Sequence, residues 1–309
     1  MEAGRTLCST GYGKPPWTFK GSALYQLHLV KAETARAFIP KELRLVEAFG
    51  YTLGGFFLAN YEDSPAGAFD ELVVIAGIVW NPPTSCALLF FCNRWAARVF
   101  VNSDEACDHG RKYVGLPSQV ARFTKRITTV RGQPNRKSCS FLNMLGLGTT
   151  TKCFPKDFMD LQVREIKSHA ATDICNIKLP AIGPAPKHDK NLGLAVKMSL
   201  PSFSGLSEYI PNLLKYSCHI DCRVRAVEPA KVSGPSFATE EDTGKSLQHL
   251  HAHKSANSTT KELIDNERNL SISVMLSKPL IALEFNCLKM RVEAPIVVAN
   301  CSKSSLKVS

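Results

Sequence analysis

The segment KYSCHIDCRVRAV, residues 215–227, alternates apolar and polar side chains without a break. Tyr216, Cys218, Ile220, Cys222, Val224 and Ala226 fall on one side of an extended chain, and Lys215, Ser217, His219, Asp221, Arg223 and Arg225 on the other. A helix would scatter the two sets around its axis, whereas a strand, with its period of two, separates them. The segment is therefore read as a half-buried antiparallel strand. The same signature recurs in NLGLAVKMSL (191–200), where Leu192, Leu194, Val196, Met198 and Leu200 share a face. Residues 22–30, 50–61, 71–80, 122–130 and 279–294 also read as strands. In the last of these the apolar set changes phase near Cys287 and Leu288, which points to a bulge or to burial on both faces.

Helices are few. Residues 31–39 form a short one stopped by Pro40. A second starts after Ser103 as N-cap, with Asp104 and Glu105 in its first turn, and ends with Arg111 and Lys112 before Gly115. Those charges complement the helix dipole at both ends. The fold class expected is mainly β (α+β): one large, mostly antiparallel, barrel-like sheet with a few short helices. A chain of 309 residues, 44% of them hydrophobic, can enclose one sizeable core or two small ones. Two stretches read as inserted: 88–94 (LLFFCNR), an abrupt apolar block, and 236–269, a polar stretch read as a mobile surface loop with at most one helical turn. The expected organisation is a single domain over 14–298, with tails at 1–13 and 299–309.

Several function classes drop out. The net charge is +11, but the only dense basic patch (Arg122, Lys125, Arg126, Arg131, Arg136, Lys137) has no RNA-binding aromatics or Cys/His finger beside it, so no nucleic-acid partner is expected. Eleven irregularly spaced cysteines, mostly within apolar runs, read as small core residues in a reducing compartment rather than a disulfide framework. Sequons at Asn257, Asn269 and Asn300 are therefore read as chance. The longest apolar run, 72–80, is far short of the roughly 20 residues that span a bilayer, so the chain is not read as an integral membrane protein. The first twenty residues lack a signal core or a sustained amphipathic pattern, which leaves the cytosol as the compartment expected from sequence. Cys218, His219, Asp221 and Cys222 cannot meet on one metal ion if 215–227 is a strand, because the cysteines and the other pair point to opposite faces. The histidines of HLHAH (His249, His251, His253) sit in the polar insertion and read as solvated. No nucleophile elbow, phosphate loop or dinucleotide fingerprint is present, so neither metal nor cofactor is expected.

One carboxylate stands out. Glu62 and Asp63 precede a Ser-Pro turn and should face water, but Glu71 opens the most apolar strand of the chain. A carboxyl there is either at the strand's wet end or partly desolvated with a raised pKa.

The run of motifs PPWTFKGSALYQLHL, IPKELRLVE, DSPAGAFDELVV, GRKYVGLPSQVA and VSGPS resembles the acetoacetate decarboxylase-like superfamily, and within it a plant branch implicated in forming neoxanthin from violaxanthin. The resemblance spans roughly residues 14–295 apart from the two insertions. It implies a large antiparallel barrel around an apolar cavity. Decarboxylases of this type carry a Schiff-base lysine and a second lysine just after the Gly-Arg…Pro segment. Counted from Gly110 and Arg111 to Pro117, that pair falls on Ser118 and Gln119, which cannot form an imine. Alignment further puts Ala23 where the decarboxylases have an arginine, keeps Glu71, and puts Phe56 at their other acidic position. The candidate pocket is thus Glu71, Phe56, Ala23, Arg111, Pro117, Ser118 and Gln119, greasier than a decarboxylase's. Against the same relatives, 88–94 is extra chain between Ala87 and Trp95, either a true insertion or a splicing artefact.

The resemblance leaves two main readings. In the first, the chain serves xanthophyll formation as a non-catalytic protein that binds an apolar small molecule (a xanthophyll or precursor) or a carotenoid-pathway enzyme. In the second, it is a lysine-independent isomerase or lyase that uses Glu71 as acid or base. A third reading, a purely structural partner, would act through the basic surface at Arg122, Lys125 and Arg126. The implied pathway points to the plastid rather than the cytosol, and the oligomeric state is left open.

Overall fold

A computed structural model describes residues 12–41, 43–80, 94–130, 156–167, 170–180, 193–235 and 257–298. The alternating segment forms β10 (Leu213–Val227), flanked by β9 (Leu194–Gly205) and β12 (Lys278–Val292), both antiparallel to it. The path continues through β1 (Trp17–Lys31), β3 (Tyr51–Asp63) and β4 (Phe69–Trp80) to β5 (Arg94–Val101), antiparallel at each step. Arg94 of β5 then lies parallel beside Ser202 of β9 and closes a ring of seven strands. Further along β5, Val99–Val101 pair in parallel with the start of β6 (Ser118–Val130). From there a second, antiparallel layer runs through β7 (Lys156–Lys167), β8 (Ala170–Pro180) and β11 (Lys231–Ser233). Two short strands, β2 (Arg44–Leu45) on β4 and β13 (Ile296–Val297) on β10, complete the sheet.

Ring closure gives every strand of the ring an inner and an outer face, so strict alternation sorts the chain into two cores. The inner one collects Trp17, Phe19, Tyr61, Phe69, Ile220 and Phe285. The outer one lies between the barrel wall and the second layer; it contains Phe56, Leu72, Val74, Leu161, Ile174 and Ile177. The expected irregularity in β12 is a bulge: Leu288 faces Gly21 while Phe285 faces Ala23, and Cys287 between them has φ 50°. Inward positions consequently pass from Phe285 to Met290 and Val292, across the phase change read from sequence.

The first helix is α1 (Ala32–Arg36). The second, α2 (Asp104–His109), begins as expected: the Ser103 side chain accepts the Ala106 N–H at 3.2 Å. It widens into a π-turn, Gly110–Val114, which ends at Gly115 in the left-handed region with φ 71°. A Cβ on Gly115 would sit 2.9 Å from the backbone of Gly205, so the turn docks directly on β9. Three features depart from the sequence expectation. The β7–β8 hairpin carries no assignment there. Residues 257–269, read as loop with one helical turn, begin α3 (Asn257–Met275), a helix of 19 residues. Leu194, expected inside, is exposed at the start of β9. Residues 88–93, 236–256 (HLHAH included), the basic positions 131, 136 and 137, and the tails 1–11 and 299–309 lie outside the described residues.

Candidate ligand cavity

The ring of strands encloses a cavity of about 200 Å³. Aromatic carbon from Trp17, Phe19, Phe57, Phe69 and Phe285 forms much of its wall, with Val73, Ile75, Val99 and Leu200 between. The end is stoppered by Ala106, Gly110, Val114 and Leu116 from α2, the π-turn and the segment after it. Polar atoms are few.

Glu71 is the only carboxylate among the described lining residues. It stands opposite Ala59 on one side and Val101 on the other. Glu71 is half-buried by area, and the surface it keeps faces the cavity. The surrounding protein strips it of water and pushes its pKa up from 4.5 to about 7, against the opposing pull of a hydrogen bond from the Tyr61 hydroxyl. That hydroxyl donates to Glu71 Oε2 at 2.8 Å. Burial, and then the nearby carboxylate, hold the Tyr61 phenol well above its ordinary value. At neutral pH the Glu71 carboxyl is thus present in both protonation states and can give or take a proton. Cys218 also lines the cavity, 3.9 Å from Ser202 Oγ, but burial pushes its thiol up to about 12 and keeps it from acting as a nucleophile.

His109 completes the polar set. It is 8% exposed, stacked on Tyr12 with ring centroids 3.6 Å apart, and met edge-on by Trp17 at 4.4 Å. Burial lowers its pKa to about 4, so the ring is neutral. Its Nε2 is buried and has no hydrogen-bond partner among the described residues.

The residues expected from sequence divide by strand face. Glu71 and Ser118 both reach the cavity; Ser118 is 3% exposed and packs so closely on Gly110 that a Cβ there would lie 2.5 Å from its Oγ. Gln119, one residue on, points the other way and accepts a hydrogen bond from Arg98 Nη1 at 3.2 Å. Phe56 likewise faces the outer core while its neighbour Phe57 faces the cavity. Ala23 packs into the inner core opposite Ala59 without bounding the cavity. Arg111 lies over the Tyr209 ring at 5.8 Å and donates from Nε to the Ser118 carbonyl at 2.7 Å, so it braces the turn from outside. Pro117 is exposed, and its carbonyl accepts the Val99 N–H at 3.1 Å. The sequence reading missed Tyr61, Tyr216, Ser202 and His109. Tyr61 shares the parity of Phe57 and could have been placed by alternation; His109 is the last residue of α2, three positions after Ala106, which also lines the cavity.

His219 and Asp221 point outward as alternation required, toward Glu293 at 3.6 Å and Lys197 at 3.2 Å. Among the described residues no group of three or more His, Cys, Asp or Glu could hold a metal ion. No described helix is long and apolar enough to cross a membrane. Within the basic patch, Lys125 is paired to Asp70 at 2.6 Å.

Fold and cavity define a closed β-barrel around an apolar chamber, with no lysine among the described residues lining it. The solved structures it resembles include the enduracididine biosynthesis enzyme MppR complexed with pyruvate (TM-score 0.50, 13% identity, 97% of this chain and 98% of that one), a likeness of fold. An acetoacetate decarboxylase from Legionella pneumophila gives a TM-score of 0.49 at 14% identity, over 97% of this chain and 92% of that one. No family model matches the chain. Among curated proteins, Protein NEOXANTHIN-DEFICIENT 1 of Solanum lycopersicum is 61% identical over 303 residues, 98% of this chain and 99% of that one. Its namesakes in Arabidopsis thaliana and Oryza sativa subsp. japonica are 61% and 52% identical, over 96% and 97% of this chain and 99% and 95% of theirs. The chain belongs to the neoxanthin-deficient protein family.

Proposed function

We propose that this protein serves neoxanthin formation by holding a xanthophyll or a xanthophyll precursor non-covalently in its barrel. The relatives' name supports the pathway. One observation carries the binding role: the cavity wall is aromatic and aliphatic carbon with a single carboxyl, and offers no amine among the described residues that line it. Burial of an apolar ligand there is driven by the area removed from water and needs no bond to the protein. The test is purified protein mixed with violaxanthin, with both co-eluting pigment and product measured. Bound pigment without conversion is the expected result. Absence of binding overturns the reading, as does borohydride trapping of a keto acid on the barrel.

The Glu71–Tyr61 pair favours a second reading, catalysis without lysine. Opening an epoxide to an allenic alcohol is an isomerisation: a proton leaves carbon, the electron pair shifts into the new double bond, the carbon–oxygen bond breaks, and the oxygen takes up a proton. No redox partner is required. A carboxyl with a pKa of about 7 inside an apolar chamber is suited to one of those proton transfers. Under this reading Glu71→Gln abolishes neoxanthin accumulation in a complemented plant mutant, and unchanged neoxanthin rules it out.

A further inference from the structure

We infer that the cavity receives one oxygenated ring of its ligand rather than the ligand's whole length, and that His109 is that ring's second polar contact alongside Glu71. The inference rests on the binding role proposed above and specifies which part of the ligand is enclosed. Size is the first argument. A dry cavity of roughly 150 Å³ accepts a benzene-sized ring, and sites for drug-sized molecules start at about 300 Å³. At about 200 Å³ this one has room for a single substituted ring. A xanthophyll has a ring at each end of a long polyene, and only one ring fits.

His109 is the second argument. Buried polar atoms are almost always paired, and each exception calls for a reason. Nε2 of His109 is such an exception, on a residue that is 8% exposed and borders the cavity. Its ring is not loose: Tyr12 stacks on it at 3.6 Å, Tyr113 at 5.2 Å, and Trp17 meets it edge-on. Rotation that would bring Nε2 to water has to break this packing. Tyr12 and His109 also form the partition between the cavity and an outer pocket of about 370 Å³ lined by Glu105, Asp108 and Lys112. A ring carrying a hydroxyl or epoxide oxygen would give the imidazole the partner it lacks, while Glu71 and Tyr61 take up a polar group elsewhere on the wall. A hydrocarbon ring of the same shape would leave Nε2 of His109 without a partner.

The test compares β-ionone epoxide with β-ionone, which share a side chain and differ by the ring oxygen, on the full chain and on His109→Phe. Phenylalanine keeps the aromatic stack and removes the nitrogen. The wild-type protein should bind the epoxide about tenfold tighter, the effect of one hydrogen bond, and His109→Phe should erase that preference. The imidazole protons of His109 should also shift on adding the epoxide to the wild-type protein, a readout independent of whether the variant folds. An equal preference in protein and variant, or an unmoved imidazole signal, overturns the inference. If violaxanthin binds and neither ionone does, one-ring occupancy falls and the binding role stands; if violaxanthin also fails, the binding role falls too.

Discussion

The two faces of the barrel wall solve the same problem differently. Inside, the carboxyl of Glu71 is hydrogen-bonded by Tyr61 and has the cavity beside it. Outside, Glu165 is 1% exposed and is held by ion pairing, 3.5 Å from Arg98 Nη1 and 3.2 Å from Lys167 Nζ, although neither carboxylate oxygen has a hydrogen-bond partner among the described residues. The outer core is also closed by a neutral clamp: Gln26 accepts the Ala230 N–H at 2.7 Å, donates to its carbonyl at 3.1 Å, and hydrogen-bonds His28. His28 accepts from Gln26 at Nε2, which leaves Nδ1–H to donate to the Val274 carbonyl at 3.3 Å and ties down the end of α3. Buried charge that is paired and packed holds layers together. Buried polar groups left beside a void mark where a guest belongs.

The sharpest way to break this contrast is Arg98→Ala, which leaves Glu165 facing the outer core with only Lys167. A loss of about 3–5 kcal/mol in urea unfolding is expected; a loss below 1 kcal/mol would mean that the pair does not hold the second layer. Next come the adjacent residues Phe56 and Phe57. Phe56→Ala opens a void in a filled core, at about 3–5 kcal/mol. Phe57→Ala enlarges a space already present and should cost closer to the transfer term alone, about 2 kcal/mol. Equal losses would erase the distinction between a packed core and a hollow one.

Glu71→Gln has a smaller, pH-dependent effect. Because the folded-state pKa is raised from 4.5 to about 7, the folded protein holds the proton longer than the unfolded chain. Stability from this group is present below pH 4.5 and is lost as pH rises through 7. The variant should therefore match the wild type below pH 4.5 and exceed it by at most about 3 kcal/mol above pH 8, read as melting temperature against pH. His28 and His109, whose pKa values burial lowers, act in the opposite sense and cost stability as pH falls below 6.5. They are common to both proteins and cancel in the difference. The smallest effect is at the surface: the exposed Lys112–Asp108 pair, 2.7 Å apart, should be removable without a measurable change.

What could be read from the sequence follows from the same division. Strands with a clean inside and outside (β10, β12 and its bulge, β3, β4) announce themselves by alternation. The β7–β8 hairpin does not, because Glu165 occupies a buried position where the pattern asks for an apolar residue, and a register shift at Val163 and Arg164 brings Ile174 and Cys175 both inside. The second layer was hidden for the reason it is held together. In the cavity, Glu71 was visible as a charge out of place on an apolar strand, and Ser118 through the resemblance. Phe56 and Gln119 were each misplaced by one residue of parity, which in a strand is a whole face. His109 closes α2 one turn after Ala106, and a helix of six residues is too short for its periodicity to show which face meets the cavity.

The branching of β5 sets how the chamber can respond to a guest. One edge of that strand is committed to β4, and the other is split between β9 at its start and β6 at its end. The seam of the hoop is thus bolted to an outer girder, and the hoop cannot widen without prising the girder loose. Its bore is set by the backbone, so selection among guests falls to the side chains that project into it, and trimming one such as Val73 should admit a bulkier guest while the frame stays still.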